Sequence, residues 1–306
     1  MKMDMKTRFT GRSWLVLGTV LTALVATSSA QAGSGRFLAT GGIQSLDGAA
    51  GGGINPWAVI AGYGTSNQWG ATASYTNVTL PDFNVNQLGA SVGINNRFEL
   101  SYAYQQGNLS GALDGQNIGQ HILGAKVRLL GDAIYDQDTP LPQLALGVEY
   151  KQNLSGSDML TDGGALGGAV DDSGTDVYLS ATKVMIGGFF GYNWLVNANL
   201  RYTKANETGL LGFGGPGEDD YELRPEFSTA VLVRPDVAIG YEYKQMGDNL
   251  SGAGLKESDW HDVFIAYFPN KSVSFAVAYA HLGDVGGEAI DYTDENGIYL
   301  NATVSF

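Results

Sequence analysis

Apolar and polar residues alternate along most of this chain with a period of two. At its end Ile298, Leu300, Ala302, Val304 and Phe306 are apolar, and Tyr299, Asn301, Thr303 and Ser305 between them can hydrogen-bond or face water. Such a period puts the two sets on opposite faces of a strand. The same grammar runs through Leu88 to Ile94, through Phe98 to Tyr104 after an Asn95-Asn96 turn, and through Leu123 to Leu129 and Leu144 to Tyr150. It returns around Val177, Trp194, Phe227, Val237, Val263 and Val273. Two earlier stretches also alternate, 57–64 (Trp57, Val59, Ala61, Tyr63) and 69–78 (Trp69, Ala71, Ala73, Tyr75), and with the tight turn between them they read as a hairpin. A short strand is expected over 36–44.

Charge keeps to one parity of these strands: Glu149 and Lys151 lie between Val148, Tyr150 and their like, and Arg201 between Leu200 and Tyr202. One face therefore meets something oily and the other something wet. The apolar run 14–26 near the start is too short to cross a bilayer as a helix, which takes roughly 20 apolar residues. A chain that crosses with strands must close them into a barrel, because lipid leaves an open sheet edge unsatisfied. The expectation is an all-β, transmembrane, antiparallel up-and-down β-barrel of about fourteen strands. Without 36–44 and one weak partner the count is about twelve, and that alternative stays open. The 8 prolines sit at strand ends or in connections, apart from Pro225 near the start of a strand, which spares the ladders.

The opening segment has Lys2, Lys6, Arg8 and Arg12 against Asp4, then the uncharged apolar run, then Ala30-Gln31-Ala32. This is the pattern of a secretory signal peptide spanning 1–32, with cleavage before Gly33 and a barrel domain over 33–306. Removing it takes 4 of the 17 basic and 1 of the 31 acidic residues, leaving 13 against 30 and a formal charge of −17 where the full sequence has −14. Nucleic acid is a poor partner for such a chain. The sequence has no Cys, so neither a disulfide nor a thiol nucleophile is available.

The in-phase terminal residues Ile298, Leu300, Ala302, Val304 and Phe306 resemble the targeting strand of bacterial outer-membrane barrels. The resemblance implies recognition by the barrel-assembly machinery. The segment GGIQSLDGAAGGGINPWAVIAGYGT (41–65) resembles an uncharacterised family of bacterial outer-membrane barrel proteins described only as a domain of unknown function. That likeness implies a fold and a place, the outer membrane of a Gram-negative bacterium among its lipid and lipopolysaccharide, and carries no catalytic residues. There is also a general resemblance to porin-like barrels. The run GAAGGG lacks the Lys-Ser/Thr ending of a phosphate loop and reads as a connection without chemistry. Whether the Gly-rich segment completes the wall, plugs the lumen or hangs outside is open.

Working back from Phe306, connections alternate long (283–295), short (269–271), long (247–258), short (near Pro235), long (205–221), short (near Gly187) and long (153–174), with 131–140 as an exception. Long outer loops and short periplasmic turns place both termini in the periplasm. Aromatic residues at strand ends, Trp57, Trp69, Tyr75, Trp194, Tyr243 and Tyr279 among them, suit the girdles at a membrane interface.

On the charged parity Glu149, Lys151, Arg201, Arg224, Glu226, Glu242, Lys244 and Asp262 all fall toward the long-loop ends of their strands. They form a candidate lumen belt of mixed sign, able to select solutes or equally to rigidify the wall. The loops carry further acid, such as Asp158, Asp171, Asp219, Glu288 and Asp294, without a calcium-loop spacing. Of the three histidines, His261 and His281 lie near the rim, and no Ser sits in a nucleophile elbow. No enzyme, cofactor or metal site is expected. The reading is a channel for passive diffusion of small hydrophilic solutes or ions, with a cation preference if the acidic mouth dominates. A closed structural or partner-binding barrel is the alternative, and a rim-site lipid or peptide hydrolase comes third. An inserted Gly-rich segment would favour closure. Solute and oligomeric state are not legible.

Overall fold

A computed structural model describes residues 36–155, 168–285 and 292–306. The signal-cleavage residues Ala30, Ala32 and Gly33 and the loop acids Asp158, Asp162, Glu288 and Asp291 lie outside the described residues.

Two small strands, β1 (Ile43–Gln44) and β2 (Ala50–Gly51), pair only with each other. The twelve that follow form one closed antiparallel barrel: β3 (Trp69–Thr79), β4 (Phe83–Ile94), β5 (Phe98–Leu109), β6 (Asn117–Leu130), β7 (Gln143–Asn153), β8 (Ser173–Phe189), β9 (Tyr192–Thr203), β10 (Glu222–Arg234), β11 (Val237–Lys244), β12 (Trp260–Tyr267), β13 (Val273–Gly283) and β14 (Glu295–Ser305). Each strand pairs with its chain neighbours, and β14 closes the ring on β3 from Ile298 opposite Thr79 to Ser305 opposite Thr72. The terminal residue is tied in: the Phe306 N–H donates to the Ala71 carbonyl at 2.8 Å, and its own carbonyl accepts from Tyr63 and Ala71.

The wall therefore has twelve strands, the alternative count, and not about fourteen. The two surplus stretches are inside it. Residues 57–61 are buried at both parities, from Trp57 and Ala58 through Ala61, so the expected 57–64 strand is neither wall nor half of a hairpin with 69–78. Trp57 belongs to the lumen and not to a girdle. Residues 36–44 likewise contribute only the two-residue β1.

The alternation places the outer face correctly. Leu100, Leu123, Leu179, Val263, Tyr279, Ile298 and Leu300 all point outward and are exposed, while Ser74, Thr76, Gln87, Gln105, Gln120, Asn197 and Thr303 point inward and are buried. Connections at one end are 95–97, 131–142, 190–191, 235–236 and 268–272. At the other end are 154–172, 204–221, 245–259 and 284–294, with 80–82 and 110–116 as short exceptions. At the Asn95-Asn96 turn both residues have positive φ, 55° and 48°, as a two-residue hairpin turn requires. No helix among the described residues is long and apolar enough to cross a membrane, which says nothing of the strands.

Candidate functional site

The first 29 described residues, 36–64, fill the barrel. They enter at the turn end, where Arg36 donates to the Ile60, Gly62 and Thr40 carbonyls. They climb to a tip at 45–48, closed by the Gly48 N–H donating to the Ser45 carbonyl, and descend to join β3. Irregular backbone inside a barrel is tolerated only if its polar groups find partners there. The inward side chains of the wall are those partners. Asn199 donates to the Pro56 carbonyl and Gln143 to that of Ala58, and the Thr182 hydroxyl accepts the Ala58 N–H.

Two wall carboxylates hold the descending arm. Glu99 accepts the N–H groups of Ala50 and Ala61 at 3.0 and 2.8 Å and pairs with Lys126 at 3.1 Å, and Lys126 in turn donates to the Ala50 and Trp57 carbonyls. Glu242 accepts from Gly53 and Ile54 at 2.6 and 3.0 Å and from the Ser228 hydroxyl. A Cβ at position 52 would lie 2.2 Å from the Glu242 carboxylate, so a side chain there would push that carboxylate out of its place. The Gly-rich run therefore has a task after all. It cradles an anion, as phosphate loops do, but the anion is a carboxylate of the protein's own wall.

The tip carries the network's centre. Asp47 is fully buried and lies 3.1 Å from Lys151 and 3.3 Å from both Arg201 and Lys244. Arg201 also reaches Glu149 at 2.7 Å, Asp176 at 3.2 Å and Glu226 at 2.6 Å, and its guanidinium sits 5.0 Å from the Tyr178 ring centroid. Lys151 pairs with Asp176 at 2.9 Å. Burial by itself would raise the Asp47 carboxyl, but Lys151, Lys244 and Arg201 outweigh it and hold the group below the usual carboxylate range.

All eight belt residues read from the sequence are buried inside the barrel, but they do not form one ring. Glu149, Lys151, Arg201, Glu226 and Lys244 share the network around Asp47. Arg224 instead donates to the Ala205 carbonyl and to Asn249, Glu242 serves the plug backbone, and Asp262 has one oxygen without a hydrogen-bond partner. Sequence reasoning missed Asp47, Asp176, Glu99 and Lys126. Asp176, next to Val177 on the opposite parity, and the alternating Glu99 and Lys126 carried the same signal as the belt. Asp47 had none beyond being the single acid in a Gly-rich stretch.

At the loop end a second segment folds inward. Leu210, Leu211 and Phe213 are buried. The turn is anchored by Lys151 donating to the Thr208 carbonyl and Asn153 to those of Gly209 and Leu210. Its Glu207 accepts the Trp260 indole N–H at 3.0 Å. Burial raises the Glu207 carboxyl well above its usual value, with the nearby Glu257 adding to the effect. Burial pushes Glu257 up to about 8, against the pull of Arg224. An acid whose folded value is raised stabilises the fold below its unfolded value, and that contribution is lost as pH rises through the folded one. Stability should therefore fall between about pH 4.5 and 8, and the Glu207→Gln, Glu257→Gln double variant should flatten that slope in urea titrations of the folded barrel. An unchanged slope would assign it to other groups.

At the loop-end rim the Tyr241 hydroxyl lies 2.6 Å from His261 Nδ1, and the His281 Nδ1 is 2.6 Å from Asn296. The His261 and His281 rings are 6.0 Å apart. Asp262 points into the lumen, away from this pair, and the nearest carboxylate is that of Asp294, 3.9 Å from His281 Nδ1. Among the described residues no three His, Asp or Glu side chains converge as a metal site.

No curated protein sequence matches the chain. Among solved structures, a KdgM porin shares 12% identity over 77% of this chain and 99% of its own, with a TM-score of 0.46. The Acinetobacter baumannii outer membrane protein Omp33 shares 9% over 79% and 100%, with a TM-score of 0.45. Outer membrane phospholipase A from Escherichia coli shares 10% over 76% and 95%, with a TM-score of 0.37. Likenesses this distant, to both channels and an enzyme, assign no activity. The family model for the protein of unknown function DUF3034 matches residues 40–303, and the resemblance read from 41–65 holds: the chain belongs to the DUF3034 family.

Proposed function

We propose that this is an outer-membrane barrel of a Gram-negative bacterium, closed at rest by its own N-terminal segment, through which small hydrophilic solutes pass only when that segment is displaced. The observation that carries the reading is the placement of Asp47, fully buried at the plug tip among Lys151, Arg201 and Lys244. Of the open and closed forms of the porin reading, this favours the closed one. An apolar outer face over strands of 8 to 17 residues suits a bilayer, whose hydrocarbon core takes about 9–11 tilted residues. Arg36, the first described residue, and Phe306 lie at the end with mainly short turns, the periplasmic end in this reading. The outward Ile298 and Leu300 on the terminal strand suit recognition by the assembly machinery, with lipid and lipopolysaccharide around the wall. The acidic outer loops, including Asp171, Asp219 and Asp220, would favour cations in the open form.

The refolded full-length mature chain in a planar bilayer tests this. Insertion without steady current at low voltage is the expected record, with rare openings at most. A steady, voltage-independent conductance would overturn the closed reading and restore the open pore.

A further inference from the structure

We propose that the loop end of the lumen holds a binding site for a small, uncharged aliphatic molecule bearing one oxygen function, with Glu207 as its carboxyl anchor. This goes beyond the closed-barrel reading and does not depend on plug movement.

A cavity of about 50 Å³ lies between the plug and the inward turn. That is room for roughly four water-sized groups. Its lining is almost wholly apolar: Leu46 and Ile54 from the plug, Leu210 and Leu211 from the turn, Phe83 and Trp260 from the wall. Water gains little in such a space, since it needs two to four polar partners. An aliphatic chain of matching girth loses no hydrogen bond on entering and buries its methylenes.

Gln105, Thr208, Tyr292 and Tyr299 also line this space, and Glu207 is the one carboxyl group among its lining residues. Glu207 lines the cavity and is 2% exposed. Its Oε2 takes the Trp260 indole proton, and its Oε1 has no hydrogen-bond partner. A buried polar atom left without a partner costs about 1–3 kcal/mol, so its persistence calls for a use. Glu207 and Thr208 also both have positive φ, 43° and 60°, a strained backbone for residues with side chains. The strain is held in place by Gln120 and Lys151 on the Thr208 carbonyl. Strain of this kind gathers at ligand sites, where it aims a side chain.

The apolar lining sets the ligand class. Burial and Glu257 both raise the Glu207 carboxyl and so favour its neutral form, which carries one O–H. Trp260 occupies the other oxygen, so the free one offers a donor to an alcohol, ether or carbonyl oxygen. A charged ligand would enter without a counter-ion and lose its hydration.

The test uses the ¹⁵N-labelled mature chain in detergent micelles, following the Trp260 indole N–H, identified by its loss in Trp260→Phe. Titration with 1-propanol through 1-hexanol should give a saturable shift whose affinity rises about fourfold per methylene and then levels once the cavity is full. Butylammonium should bind at least about tenfold more weakly than 1-butanol. Glu207→Leu should weaken 1-butanol by about fivefold or more. Leu211→Trp should abolish the shift, and Ile118→Phe, which fills the space from the wall, serves if the first variant does not fold. A shift that stays linear with alcohol concentration, or persists in the filled variants, would show partition into the micelle and overturn the site. Equal binding of the ammonium would overturn the neutral anchor.

Discussion

Replacing Arg201 by alanine should lower the stability of the folded barrel by about 3–5 kcal/mol, the cost of removing one partner from a buried charge network. Arg201 contacts Asp47, Glu149, Asp176 and Glu226 at once. Without it these four carboxylates share only Lys151 and Lys244. All are buried, so water cannot take over the lost charge. Arg201→Lys keeps the charge but not the planar fork that reaches partners on β7, β8 and β10 together, and should cost less than half as much. Urea titration of the folded protein in micelles, read by the gel shift between folded and heated forms, measures both. A loss below about 1 kcal/mol for Arg201→Ala would mean that the network is solvated and the lumen wetter than its burial implies.

Deleting residues 40–63 should turn a silent barrel into a conducting one, with steady current about tenfold or more above the intact chain. Barrels of eight strands are filled by their own side chains, and those of sixteen leave an aqueous channel. A twelve-strand wall lies between, and here inward Thr182, Gln143 and Asn199 bind plug backbone, while others such as Gln120 with Gln105 and Asn301 with Thr76 also bind one another. Once the plug is gone the plug-facing groups are left to bind water. The wall's twelve-strand ladder does not involve the deleted residues, so the barrel keeps its interstrand hydrogen bonds and loses at the seam only the one from Tyr63 to the Phe306 carbonyl. A deleted barrel that folds, inserts and stays silent would mean that the inward turn at 205–213 closes the lumen by itself.

Much of this was legible in the sequence because a barrel wall has one rule, apolar out and polar in. The parity of Glu149, Arg201 and Glu242 put each on the inner face. The stretch 57–64 misled because Trp57, Val59, Ala61 and Tyr63 do alternate. What distinguishes it is the other parity, Ala58 and Ile60, which is apolar where a wall strand is polar. An apolar run without a wet face is a buried segment, whatever its period. The plug's anchors were not legible for a different reason. Glu99 and Glu242 bind backbone N–H groups of 50–61, and backbone leaves no mark in the sequence except where glycine is needed to let it close in, as at Gly52. Asp47 finds partners on β7, β9 and β11, which no local pattern relates.

The central claim is that the segment 36–64 occupies the lumen, and a cross-link tests it most directly. The chain has no Cys, so a Gly48→Cys, Ala103→Cys pair introduces the only two thiols. A Cβ at position 48, where φ is 88°, would lie 3.0 Å from that of Ala103 on β5 and from the Tyr102 carbonyl, so the tip must draw back by about half an ångström to reach the 3.5–4.5 Å of a disulfide. In the folded protein inserted in a native outer membrane, the two thiols should oxidise to one intramolecular disulfide, seen by mass spectrometry as linked peptides, and should resist a bulky water-soluble maleimide. Two free thiols that both react with the maleimide would place the segment outside the barrel and contradict the account.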